Sequence, residues 1–150
     1  MNVRKIALLA GLALVVAGLI AALAAPAGSA EAEPAKEAQR ARLAVVWSSG
    51  DPVVAHQMVL MYTHAAGRNE WFDEVRLVVW GASAKLLAED EQLQAKVKKM
   101  MADGIKVQAC IVCARNLGAA EKLRRMGIEV KAMGKPLTDY LRGGWHVMTY

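Results

Sequence analysis

The fold is decided by residues 43–52, which read LAVVWSSGDP. The first five of these residues are apolar, which is typical of a short strand buried on both faces of a parallel sheet. Asp51 and Pro52 then predict the start of a helix. An aspartate side chain accepts the free amide hydrogens of a first helical turn, and proline has a suitable φ angle and no amide hydrogen to leave unpaired. Residues 43–52 therefore predict a strand that passes directly into a helix.

The same alternation continues to the end of the sequence. We expect the first helix to run over 52–66, to bury Val54, Met58, Met61 and Ala65, and to stop at Gly67. Further strands are predicted at 75–80, 105–110, 128–133 and 145–150. Between these strands we expect four helical segments. One includes Leu86 and Leu87, the next buries Leu93, Val97, Met100 and Met101, a third ends at Met126, and a short one covers 136–141. Alternating strands and helices predict an α/β domain with a parallel sheet and helices on both faces.

The N-terminal part of the chain has the pattern of an export signal. Arg4 and Lys5 precede an uncharged apolar run over 6–25, and small residues follow up to Ala30. This order predicts a signal peptide at 1–30 and a periplasmic or secreted protein. The run also has the ~20 residues needed to span a bilayer, so a retained anchor that holds the domain outside the cytoplasm is the alternative. Residues 31–42 form a charged, Ala-rich linker, and 43–150 form one domain.

Charge and motif content exclude several classes of function. The formal net charge of +5 includes Arg4 and Lys5 and is too weak a bias to indicate nucleic-acid binding. A zinc site takes about four ligands, and the chain has only two cysteines. We therefore expect no metal, no cofactor and no nucleic acid. Membrane contact is expected only through an uncleaved N-terminal segment.

The two cysteines form the motif Cys110-Ile111-Val112-Cys113, where the third strand passes into a helix. Free amides at the start of a helix stabilise a thiolate, so Cys110 is predicted to be nucleophilic. Cys113 should lie one turn into the helix, with the less accessible sulfur. Two alternatives stay open: a thiol-disulfide redox pair, or structural cysteines in an oligomeric binding or assembly module.

Other candidate residues lie in the loops that follow the strands. Parallel sheets bind ligands at the carboxyl ends of their strands, which here are Trp47, Trp80, Cys110 and Met133. The ligand-pocket candidates in these loops are Ser49, Asp51 and Ser83, of which Asp51 is first a helix cap.

Four aromatic side chains fall outside the predicted core stripes and predict self-association, because exposed aromatic residues often mark interfaces. These are Trp71, Phe72, Trp145 and Tyr150.

The third strand also carries a family resemblance. Residues 104–110, GIKVQAC, and the small-residue turn up to Gly118 resemble the active-cysteine segment of the DsrE-like sulfur-relay family. The resemblance extends over 43–150 through SSGDP at 48–52, WGAS at 80–83 and the closing Gly-Trp strand. It is closest to the small single-domain members of that family.

The resemblance implies a three-layer α/β/α sandwich with a mostly parallel, Rossmann-like sheet of five strands. It also implies trimers or hexamers, and a sulfurtransferase-like carrier in which Cys110 passes sulfur as a persulfide between donor and acceptor proteins. Cys113 stands where many members have a small apolar residue, so only Cys110 takes the carrier role. We therefore expect an exported thiol protein in which Cys110 forms a persulfide or mixed disulfide and Cys113 resolves it.

Overall fold

The computed structural model describes residues 41–150. The predicted signal peptide and nearly all of the predicted linker lie outside the described residues. Arg42, which we assigned to the linker, is instead the first residue of a strand. Within 41–150, no helix is long and apolar enough to cross a bilayer.

Strands and helices alternate along the described chain. The five strands are β1 (Arg42–Trp47), β2 (Glu74–Val79), β3 (Lys106–Cys110), β4 (Glu129–Lys131) and β5 (His146–Thr149). Helix α1 consists of a first turn at Pro52–Val54, a π-helical turn at Ala55–Val59 and an α-helical part at Leu60–Arg68. The other helices are α2 (Ser83–Glu89), α3 (Glu91–Ala102), α4 (Ile111–Asn116), α5 (Ala120–Arg125) and α6 (Gly134–Arg142).

All five strands pair in parallel, in the order β4-β3-β2-β1-β5. One face of the sheet packs on α1 to α5, through side chains such as Leu43, Leu77 and Leu93. The other face carries a smaller cluster that includes Val78 and is covered by Tyr140 of α6. This arrangement confirms the predicted three-layer α/β/α fold.

The inner face of α1 differs from the prediction. Ala55 and Val59 are fully buried, whereas Met58 and Met61 are 47% and 59% exposed. The predicted burial of Met58 and Met61 was therefore wrong, whereas Val54 and Ala65 are partly buried and Val54 packs against the core. The Asp51 cap and the preceding strand fix the rotation of the helix, and a π-helical turn accommodates one extra residue per turn. Ala55, Val59, Leu60 and Ala66 consequently form the buried face of the helix.

The end of α1 also differs from the prediction, because the helix continues through Gly67 to Arg68. Gly67 faces Ile105, and a Cβ atom added to it would lie 2.8 Å from both Cγ1 and Cδ1 of that side chain. Glycine at this position therefore permits close packing between α1 and the start of β3, and it does not terminate the helix.

We expect Gly67→Ala to lower the free energy of unfolding by about 1–3 kcal/mol, because the added methyl group overpacks the contact with Ile105. Gly134→Ala is the matched control, since a Cβ at the first residue of α6 meets nothing within 4 Å. The control should be neutral, or stabilising by up to about 1 kcal/mol. Urea denaturation of both variants measures the difference, and equal stabilities would contradict the packing argument.

The segment between β3 and β4 is divided into two helices, although the sequence predicted one helical stretch up to Met126. Gly118 has a φ angle of +68°, in the left-handed region that glycine adopts readily, and it separates α4 from α5. Strand β4 is only three residues long, shorter than the predicted 128–133. The edge of the sheet that β4 forms next to β3 is therefore short.

Candidate functional site

The loops that follow β1 to β4 come together at the carboxyl edge of the sheet. The Ser83 hydroxyl, at the start of α2, donates a hydrogen bond to the main-chain oxygen of Trp47, with 2.5 Å between the oxygens. The amide of Met133, after β4, faces the Cys110 sulfur. The amide of Gly81, after β2, faces the Cys113 sulfur. Both cysteines therefore lie where these loops meet.

Cys110 is the last residue of β3, and its extended main chain leads directly into α4. The residue is only 5% exposed and belongs to the apolar cluster under α6. Cys113, in the first turn of α4, is half-buried. Both cysteines are free thiols in this structure. Our expectation that Cys113 would be the less accessible cysteine was wrong, because Cys110 is a member of the buried cluster that Tyr140 of α6 also joins, whereas Cys113 packs against the border of that cluster.

The environment of Cys110 favours its thiolate. Burial alone would raise the pKa of the Cys110 thiol, but the opposing hydrogen-bond donors outweigh it and hold that pKa below its ordinary value. These donors are the amide and thiol of Cys113 and the amides of Val112 and Met133. Two main-chain amides from the first turn of α4 and one from the loop after β4 therefore stabilise negative charge on one sulfur.

The environment of Cys113 has the opposite effect. Burial raises the pKa of the Cys113 thiol, and the adjacent Cys110 sulfur raises that pKa further, both as a hydrogen-bond partner and as a negative charge. The pair therefore holds its negative charge on Cys110 and its proton on Cys113. Two thiols with separated pKa values are suited to different roles in one reaction.

The three predicted pocket residues lie in the same group of loops. Asp51 is exposed and caps α1 by accepting hydrogen bonds from Val53 and Val54, at 2.7 and 3.4 Å. The Ser49 hydroxyl accepts a hydrogen bond from the Asp51 amide at 3.1 Å. Ser83 is fully buried, and its hydroxyl joins two loops. In this structure Ser83 is closed to a ligand, whereas Ser49 and Asp51 lie nearer the surface.

The sequence did not identify the residues that cover Cys110. Trp80 and Leu137 pack against the cluster that contains the Cys110 side chain, together with Met133 and Tyr140. The only sequence signal was that Trp80 and Met133 end predicted strands. No local sequence pattern indicated that α6 would pack on the same face of the sheet as Cys110.

The histidines lie away from the cysteines and have separate partners. His56 contacts the Lys96 ammonium at 2.8 Å, and His64 pairs with Asp103 at 2.5 Å. Within residues 41–150, no group of three or more His, Cys, Asp and Glu side chains is placed to hold a metal ion.

The four aromatic residues predicted to lie outside the core differ in exposure. Trp71 is 55% exposed, whereas Phe72 and Tyr150 pack against the larger core cluster. Trp145 packs beside Tyr140, with their ring centroids 4.8 Å apart. Only Trp71 among the four is therefore largely open to solvent, and self-association remains a prediction.

The fold and the site define a small, parallel α/β protein with a cysteine pair at the carboxyl edge of its sheet. No known family model and no curated protein matches the chain. The solved structure of BT1422 from Bacteroides thetaiotaomicron, a conserved protein of unknown function, matches with 33% identity and a TM-score of 0.70. The match covers 73% of this chain and 94% of that protein. The chain therefore belongs to the same family as BT1422.

Two more distant structures share the fold. MTH1491 from Methanobacterium thermoautotrophicum, also of unknown function, is 19% identical with a TM-score of 0.56, and the match covers 73% of this chain and 99% of that one. The ychN protein of E. coli is 15% identical with a TM-score of 0.54, and the match covers 75% of this chain and 100% of that one. At 19% and 15% identity, the similarity to these two proteins shows a shared fold and nothing about function.

Proposed function

We propose that this protein is a sulfur carrier of the DsrE-like type, which holds sulfur as a persulfide on Cys110. The observation that carries the proposal is the set of amides from Val112, Cys113 and Met133 that face the Cys110 sulfur and lower its pKa. A thiolate is the nucleophilic form of cysteine. The GIKVQAC segment at 104–110, which resembles the active-cysteine segment of that family, supports the same assignment.

Loading is a thiol exchange that needs no external oxidant. The Cys110 thiolate attacks the sulfane sulfur of a donor persulfide, R–S–SH, and a new S–S bond forms as the donor S–S bond breaks. The electron pair of the broken bond leaves on the donor as R–S⁻, and Cys110 becomes a persulfide. The amides that stabilise the thiolate also stabilise the persulfide anion, which carries the same charge.

Cys113 provides the second step. Cys113 first gives up its proton to solvent, and its thiolate attacks the inner sulfur of the Cys110 persulfide. A Cys110–Cys113 disulfide forms, and the outer sulfur leaves with the electron pair as HS⁻. A dithiol reductant then restores both thiols by exchange. The raised pKa of Cys113 keeps this thiol protonated until the step occurs. We also propose that the protein acts outside the cytoplasm as a homo-oligomer with a donor or acceptor partner.

A pH series of alkylation rates on the full chain tests the proposal. In Cys113→Ser the hydroxyl keeps a hydrogen-bond donor beside Cys110, so the rate should reach half its maximum below the pH of about 8.5 that is typical of a free thiol. Cys113→Ala removes that donor but leaves the three amides, so its midpoint should lie between the serine variant and a free thiol. A Cys110 thiol that titrates like a free cysteine in both variants would contradict the proposal.

A thiol-disulfide redox protein is the second candidate, favoured by the contrast in pKa between two adjacent thiols. This mechanism needs both cysteines to close a disulfide, so either single replacement should abolish turnover of a disulfide substrate. A sulfur carrier should instead keep loading sulfur in the Cys113→Ser variant.

A further inference from the structure

Cys110 belongs to a buried apolar cluster built from several parts of the chain. Val78 of β2, Met133 before α6 and Tyr140 of α6 are members of the same cluster. Trp80, Cys113 and Leu137 are among the residues that pack against it. Because only 5% of Cys110 is exposed, a reactant must fit between buried side chains to reach its sulfur.

A large reactant approaching from solvent meets different groups first. Cys113 is half-buried, and Val112 beside it is 58% exposed. The more accessible thiol is therefore the one that stays protonated, and the thiolate lies behind it. Exchange between thiols and disulfides depends on access to the attacked sulfur as well as on the thiolate fraction.

We infer that Cys110 is loaded by a low-mass sulfane sulfur compound and not by the persulfide of another protein. This inference rests on the proposed function. The chemical class is an inorganic polysulfide or the hydropersulfide of a small thiol. The Cys110 thiolate takes the terminal sulfur, the donor S–S bond breaks, and the shortened polysulfide or the small thiolate leaves with the electron pair. A protein persulfide would have to bring its own main chain up to a cysteine of which only 5% is exposed.

The test compares donors on the full-length Cys113→Ser variant, in which Cys110 is the only cysteine. The donors are inorganic polysulfide, cysteine hydropersulfide and a persulfide carried on an unrelated protein thiol, at equal sulfane sulfur. Mass spectrometry follows the gain of one sulfur at Cys110. We expect both small donors to load it at least about tenfold faster than the protein donor, because access limits the exchange. If one of the two small donors loads Cys110 faster than the other, the result shows whether inorganic polysulfide or a small-thiol hydropersulfide is the preferred donor.

Two substitutions in α6 test whether the enclosure is the barrier. Leu137 packs against the cluster that contains Cys110, so Leu137→Ala should loosen that cluster. Loading from the protein donor should then rise several-fold, while loading from polysulfide stays nearly constant. Leu141→Ala is the matched control, because Leu141 lies one turn further along the same helix and is 62% exposed. It should leave both rates unchanged, and circular dichroism verifies that both variants are folded.

The outcomes separate this inference from the proposed function. Equal loading of Cys113→Ser by protein and small donors would overturn the inference and leave the sulfur carrier intact. A Leu137→Ala variant that still discriminates fully between donors would also overturn it, because the enclosure would then not be the barrier. Loading by none of the donors would remove the proposed function, and the inference with it.

Discussion

Replacing Cys110 with serine should abolish sulfur loading of the full chain, whereas replacing Cys113 with serine should preserve it. The amides of Val112, Cys113 and Met133 face the sulfur at position 110. Burial still raises the pKa of Cys113 when Cys110 is absent, so the remaining thiol is a poor nucleophile near neutral pH. Alkylation at pH 7 should therefore be slower in Cys110→Ser than in Cys113→Ser by about tenfold or more.

The measurement is mass spectrometry of both variants after incubation with inorganic polysulfide, followed by alkylation. Loss of the added sulfur on treatment with a reductant verifies that it is a persulfide. A Cys110→Ser protein that loads as fast as Cys113→Ser would contradict the assignment of Cys110 as carrier. If the cysteines are structural, each replacement should instead lower stability similarly, by at most ~2 kcal/mol for such a short loop, and neither thiol should react unusually fast.

Local signals in the sequence were sufficient to predict where strands pass into helices. Asp51 and Pro52 act on the two or three residues next to them, and the structure places the Asp51 cap at the start of α1 as expected. The position of Cys110 between β3 and α4 depends on the same kind of local pattern. These features require no knowledge of distant parts of the chain, so they were predictable.

Features that depend on distant contacts were not predictable in the same way. The face of α1 that packs on the sheet depends on its π-helical turn and on the close approach of Gly67 to Ile105. The relative exposure of Cys110 and Cys113 depends on α6, which follows β4 in the chain and contributes Tyr140 to the buried cluster that contains Cys110. A single sequence gives the order of these elements but not the side chains that meet across them.

Trp47→Ala should have the largest effect on stability among the substitutions considered. The Trp47 side chain is fully buried at the end of β1, an interior strand between β2 and β5, and belongs to the larger core cluster. Its main-chain oxygen also accepts hydrogen bonds from the Ser83 hydroxyl and the Trp80 amide, at 2.5 and 2.9 Å. Removing the indole leaves a large cavity beside these loops, and we expect the free energy of unfolding to fall by about 3–5 kcal/mol.

Trp71→Ala is the matched control, because it removes the same side chain from a position that is 55% exposed. Trp71 contacts Tyr62, with 6.1 Å between ring centroids, so its loss should cost less than about 1 kcal/mol. Urea denaturation monitored by circular dichroism compares the two variants without relying on tryptophan fluorescence. Because small domains have only about 5–15 kcal/mol of stability, Trp47→Ala should also lower the yield of folded protein, whereas Trp71→Ala should not. Similar losses from both substitutions would show that the Trp47 indole does not fill the core as the structure describes.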